Sequence, residues 1–137
     1  MYQYKAKVVK IIDGDTIDVD IDLGFSVILA KQRIRLYGID TPESRTRNKE
    51  EKVRGLLSKG FLLDTCPVDS YIKVVSHGKG KFGRILGEIY ELDNDEVSIN
   101  QQMCDEAYAV PYFGQSKGEL ETLHAANRDI LIEKGLI

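Results

Sequence analysis

Only two cysteines, Cys66 and Cys104, occur in the 137 residues, and neither has a neighbouring cysteine or a paired histidine. Nothing therefore suggests zinc, and the pair reads as two buried, reduced thiols, with a bridge between them left open. Apolar runs fall short of the about 20 residues that a membrane helix needs, so no membrane span is expected. There is no low-complexity tract and no internal repeat. Residues 1–9 move straight into an alternating pattern, without the apolar stretch and small-residue cleavage site of a secretory signal. Cytoplasmic residence is the expectation, unless a leader has been removed.

What remains is enough for one domain over 1–137, a length that buries roughly two thirds of the unfolded chain's surface. A net charge of −3 disfavours a protein that coats nucleic acid, but the total hides a segregation. Residues 31–87 carry 13 Lys and Arg against 6 Asp and Glu, a balance of +7, and residues 88–137 carry 3 against 11, a balance of −8. A basic middle would offer a positive face to a polyanion, with the acidic C-terminal third lying away from it. Charges scattered over a solvated surface are the alternative.

Ile17, Val19, Ile21 and Leu23 alternate with Asp18, Asp20 and Asp22, the period of a strand with one face buried. Asp13-Gly14 before it signals a tight hairpin in which glycine supplies a positive φ. By parity Asp15 points inward, where a lone carboxylate is costly, so it needs a cation or an arginine beside it. Residues 27–39 read as a longer strand. If flat, it would send Arg35 and Asp40 to opposite faces, and Gly38 is where the chain can re-aim Asp40.

Asn48 caps a helix with Glu51 three residues on, and Val53, Leu56, Leu57, Gly60, Phe61 and Asp64 mark its buried face. Residues 71–76 and 84–92 read as strands around a loop rich in glycine and lysine, residues 77–83. Ser98 with Gln101 and Ser116 with Glu119 open two further helices, the last burying Leu120, Leu123, Ile130 and Leu131. Five strands and three helices fit an α+β, mainly β fold, a Greek-key barrel of the oligonucleotide-binding type (OB-fold). An open α+β sheet is the alternative.

Three motifs carry chemistry: Asp13-Gly14-Asp15-Thr16, Arg35 followed by Asp40-Thr41-Pro42-Glu43, and Lys81-Phe82-Gly83-Arg84. Asp15 and Asp40 offer hard oxygens to a divalent cation, and with no Cys or His among these ligands calcium is favoured. Arg35 and Arg84 offer planar forks that pair with phosphate oxygens and stay charged. Glu43 offers a carboxylate to orient water. Together these suffice for phosphodiester hydrolysis, which asks of a protein mostly positioning and charge stabilisation. Taken singly, each motif is also a common turn, strand end or surface arginine. His77 and His124 show no partner pattern and read as loop or surface residues.

In that order the motifs resemble the staphylococcal nuclease (thermonuclease) family over nearly the whole chain. The resemblance implies a five-stranded OB-fold barrel with three helices, and a nuclease that cuts DNA and RNA with one calcium ion and leaves 3′-phosphates. It further implies Asp15 and Asp40 as carboxylate ligands, Thr41 as a main-chain carbonyl ligand and Asp13 behind them. Arg35 and Arg84 would hold phosphate and stabilise the transition state, with Glu43 positioning water. Phe82 stands where the family usually has tyrosine, so a hydroxyl contact to a terminal phosphate is expected to be missing. Lys81, Phe82 and Tyr112 are the substrate-binding candidates, with Tyr112 and Phe113 the nearest match to the family's stacking aromatics; a core role for these two is equally open. The chain lacks the family's surplus of lysine. A monomer acting on DNA or RNA is the expected state. The rivals are a module of the same fold that binds nucleic acid or peptide without cutting, and a structural barrel that docks on a partner protein.

Overall fold

A computed structural model describes residues 2–137. β1 (Gln3–Asp13), β2 (Thr16–Asp22) and β3 (Ile28–Leu36) form an antiparallel meander, and β5 (Tyr71–Lys79) and β6 (Ile85–Glu91) form a second antiparallel pair. β6 runs parallel to β3 and β5 antiparallel to β1, closing a barrel in the order β1-β2-β3-β6-β5. With α1 (Lys49–Thr65), α2 (Ile99–Asp105) and α3 (Lys117–Glu133), this is the mainly β OB-type barrel with three helices that the strand pattern implied. Because β5 pairs with β1 as well as with β6, each of the five strands has two neighbours and the open sheet is ruled out.

Alternation decides which side chains fill the barrel. Val8, Ile17, Val19, Ile34, Ile72, Val74 and Ile89 are all buried inside, while Asp18 and Asp20 reach the surface. Leu23, expected inward, lies beyond the end of β2 and is exposed. The strand expected over 27–39 breaks in two: β3 ends at Leu36, Gly38 turns with φ 78°, and β4 (Ile39–Asp40) leaves the barrel to pair with β7 (Val110–Pro111). Glycine is needed at position 38 because this left-handed conformation is costly with a side chain. The break is fixed by Asn100, buried on α2, whose Nδ2 donates to Tyr37 O (2.9 Å) and Gly87 O (3.2 Å) while its Oδ1 accepts from Ile89 N–H (3.0 Å).

All three helices carry the expected caps, with Asn48, Ser98 and Ser116 accepting from the N–H of Glu51, Gln101 and Glu119. Their buried faces differ from expectation. α1 buries Gly55, Ser58 and Leu62, and Val53 and Leu56 are exposed. Close backbone approach is the reason: a Cβ on Gly55 would lie 2.3 Å from Glu43 O, and one on Gly14 would lie 2.6 Å from Ser58 Cβ. Gly14 therefore serves packing, and its φ is not positive as the hairpin signal had implied. α3 buries Leu131 alone, leaving Leu120 half-buried and Leu123 and Ile130 exposed, because it rests on the small β7 rather than on the barrel.

Both thiols are free. Burial pushes Cys66 up to about 12, helped by Glu91, and the half-buried Cys104 up to about 11, helped by Asp105. Among the described residues no helix is long and apolar enough to cross a membrane.

Candidate active site

The β1–β2 turn brings the first motif to the barrel mouth. Asp13 accepts from Ser44 Oγ–H and pairs with Arg45 (3.4 Å), tying the turn to the segment after β4. Asp15 sits in the turn, partly buried, and accepts from Thr16 Oγ1 (2.9 Å). Its main-chain oxygen takes Leu36 N–H at 2.8 Å, which fixes the turn to the end of β3.

Arg35 is the cation that a partly buried Asp15 requires. One nitrogen, Nη2, lies 3.4 Å from Asp15 Oδ2 and 3.7 Å from Asp40 Oδ1, while Nη1 donates to Leu36 O at 2.8 Å. The bend at Gly38 and the exit of β4 bring Asp40 back to the Arg35 side. Both carboxylates thus flank one guanidinium nitrogen, and their separation is bounded by the sum of those two distances. The second oxygen of Asp40 accepts from His124 Nε2 of α3 at 2.8 Å.

That donor set suits a hard divalent cation: two carboxylates converge, and Thr41, next to Asp40, is buried. Among the described residues no three His, Cys, Asp or Glu side chains gather into a ready-made metal cluster, so further ligands would be carbonyl oxygen and water.

Arg84 arrives onto the same face from the end of the turn that leads into β6. β3 and β6 run parallel with Arg35 opposite Leu86, and Arg84, two residues before Leu86, shares its side of the pair. Arg35 and Arg84 border one cleft of about 730 Å³ together with Asp40, Lys81, Tyr112 and Phe113. Arg84 Nε is buried and has no hydrogen-bond partner among the described residues.

The loop expected over 77–83 is shorter than anticipated, because β5 runs on to Lys79 and Lys81–Gly83 form a 3₁₀ turn. Phe82 takes φ 62° there and is 95% exposed. It borders the neighbouring hollow with Arg84 rather than the main cleft. Tyr112 and Phe113 are surface residues, which answers the open question of a core role; Tyr112 is fixed by its N–H to Gly38 O, 2.8 Å.

Glu43 does not line the cleft of the two arginines. It borders a hollow of about 320 Å³ with Thr41, Arg54 and His124, and Asp40 is common to both spaces. Its N–H donates to Glu51 Oε2 at 3.0 Å. Partial burial of its carboxyl raises its pKa above the ordinary value, and Asp15, Asp13, Glu51 and Asp40 add to the rise in that order.

Both histidines have partners, contrary to expectation. His124 is fixed to Asp40, and His77, within β5, stacks on Tyr37 with centroids 4.0 Å apart and bonds Glu88. The acidic C-terminal third does not keep away from the basic middle either: through the β4–β7 pairing, α3 brings Lys117, Glu121, His124 and Arg128 to the hollow beside Asp40. The only sequence signal for His124 is a lone polar ring on a helix, which spacing cannot link to a carboxylate 84 residues away.

Comparison with known proteins identifies the family to which this fold belongs. The family model described as staphylococcal nuclease homologue matches residues 33–129. The chain is 29% identical to endonuclease YhcR of Bacillus subtilis over 81% of its own length and 9% of the endonuclease. It is 30% identical to an uncharacterized protein of Methanocaldococcus jannaschii, covering 80% of this chain and 59% of that one. An uncharacterized protein of Bacillus anthracis is 32% identical, over 77% of this chain and 46% of its own. The chain therefore spans less than two thirds of each of these relatives.

Proposed function

The chain belongs to the staphylococcal nuclease homologue family, and from that premise we propose that it hydrolyses phosphodiester bonds of DNA or RNA with one calcium ion, leaving 3′-phosphates. The observation that carries the reading is the shared cleft: one arginine from β3 and one from the turn that leads into β6 border one space, and the first is flanked by two carboxylates. Arg35 and Arg84 hold the non-bridging oxygens of the scissile phosphate and offset the charge that grows on them in the transition state. Glu43 orients the attacking water and takes its proton. The water oxygen bonds to phosphorus, the P–O5′ bond breaks, and the leaving oxygen takes a proton from solvent. Asp15, Asp40 and the Thr41 carbonyl hold calcium, which when bound supplies Lewis-acid polarisation of a phosphoryl oxygen. Tyr112 and Lys81 hold the rest of the substrate, by stacking and by charge. Asp13 steadies the turn that carries Asp15.

A second reading, a module that binds nucleic acid without cutting, is favoured by one observation: both oxygens of Asp40 already have protein neighbours, Arg35 and His124. End-group analysis of DNA and RNA incubated with the protein separates the two. Hydrolysis predicts new 3′-phosphate ends that form with calcium and cease with chelator; binding alone predicts retarded but uncut nucleic acid.

A further inference from the structure

We propose that the hollow beyond Arg84, between β2, β3 and the 3₁₀ turn, is a second nucleotide subsite in which Phe82 stacks on a base while Lys31 and Arg33 hold the next phosphate. The inference rests on the nuclease reading and extends its footprint along the strand. The hollow, about 520 Å³, is lined by Asp18, Lys31, Arg33, Phe82, Gly83 and Arg84. Arg84 also borders the main cleft, so the two spaces meet at the guanidinium that would hold the scissile phosphate.

Two features of the backbone aim side chains at this hollow. Lys31 lies where the β2–β3 register shifts, with φ 53° and its N–H donating to Asp20 Oδ1 at 2.9 Å. Phe82 lies opposite with φ 62°. Both are non-glycine residues in the left-handed region, a conformation that persists where the surroundings impose it and that concentrates at binding sites. The result at Phe82 is an aromatic ring 95% exposed beside three cationic side chains.

The charge balance suits a polyanion. Asp18 is the one acid in the lining, and Arg33 spends Nε (2.9 Å) and Nη2 (3.2 Å) on it, leaving Nη1 with no bond among the described residues. That pair holds the guanidinium plane fixed, and Lys31 adds an uncommitted charge. A base on Phe82 gains stacking that every base can supply, so this subsite adds affinity with little sequence preference. The base must be unpaired to reach the ring.

Fluorescence anisotropy in chelator, where no cleavage occurs, tests the subsite with labelled oligothymidylates: a dinucleotide and a strand of about eight nucleotides. Phe82→Ala is expected to weaken binding of the longer strand at least about fivefold more than that of the dinucleotide. Phe82→Trp should restore the longer strand's affinity. Lys31→Ala should lower the slope of log Kd against log salt for the longer strand by about 0.7, the amount for one lost single-strand phosphate contact. Equal losses at both lengths, or an unchanged longer-strand affinity in Phe82→Ala and Lys31→Ala, would overturn the subsite. Failure of the unmutated protein to bind either strand would instead overturn the nuclease reading on which it rests. Because both side chains are exposed, truncation removes nothing from the core, and a thermal melt of each variant verifies the fold.

Discussion

Arg35 reaches the cleft from within β3 with three groups close to its guanidinium, the Leu36 carbonyl and the carboxylates of Asp15 and Asp40. Arg84 reaches it from the end of an exposed turn with Nε unpartnered. The first wall is preorganised: its guanidinium is shared between two carboxylates, its side chains are mostly buried and its turn is fixed to the barrel. The second wall is less committed, holding a buried donor without a partner, an exposed ring at Phe82 and glycines at positions 80 and 83. One guanidinium is thus tied to the scaffold while the other is left for a ligand, and the two losses should look different.

The largest effect is expected from the arginines themselves. Arg35→Ala and Arg84→Ala should each lower kcat by about a hundredfold or more, the scale of one lost transition-state donor. Thermal denaturation then divides the walls. Arg35→Ala leaves two partly buried carboxylates without their cation and should cost about 1–3 kcal/mol, whereas Arg84→Ala should leave Tm nearly unchanged. Equal Tm losses would dissolve the distinction.

Asn100→Ala attacks the first wall from behind, since it frees Tyr37 O, Gly87 O and Ile89 N–H at once where β3 gives way to β4. Chemical denaturation should show a loss of about 3 kcal/mol, the upper range for stranded buried polar groups. Asp40→Ala should raise the calcium concentration for half-maximal rate about tenfold or more, because a carboxylate ligand is lost; an unchanged calcium titration would refute the ligand role.

Glu43 belongs to neither wall and carries a pH prediction. Burial and four neighbouring carboxylates disfavour its charged form, so its pKa is raised, and the basic form disappears as pH falls through that raised value. In the calcium-free protein a carboxyl should therefore titrate above the ordinary carboxylate range in a pH series followed by NMR, and Glu43→Gln should abolish that step. Smallest of all, Phe82→Gly removes a side chain from a left-handed position and should stabilise by about 1 kcal/mol. A loss of stability there would mean that the ring packs against something.

Much of this was legible in the sequence because it is written in short-range patterns. Alternation at Ile17, Val19 and Ile21 fixes the inner face of β2, and side-chain caps at Asn48, Ser98 and Ser116 mark the helix starts. The expectation that Asp15 needs a cation or an arginine is met by Arg35, although Asp15 lies in the turn, partly buried, rather than on the inward face of β2 as parity had implied. Long-range closeness escaped. A two-residue pairing such as β4 with β7 leaves no periodicity, so neither the approach of α3 nor the His124–Asp40 contact could be read. The buried face of α1 was misjudged because hydrophobicity points to Val53 and Leu56, whereas close backbone contact selects Gly55 and Ser58. Gly14 is the same lesson at a turn: closeness to Ser58, rather than φ, demands glycine.

The account rests on two carboxylates and two guanidinium groups serving one hydrolytic cleft. Its most direct test is cleavage of single-stranded DNA by the purified chain across a calcium titration, with chelator as the end point. The account predicts shortening that rises with calcium and stops with chelator; a strand left intact at millimolar calcium would contradict it.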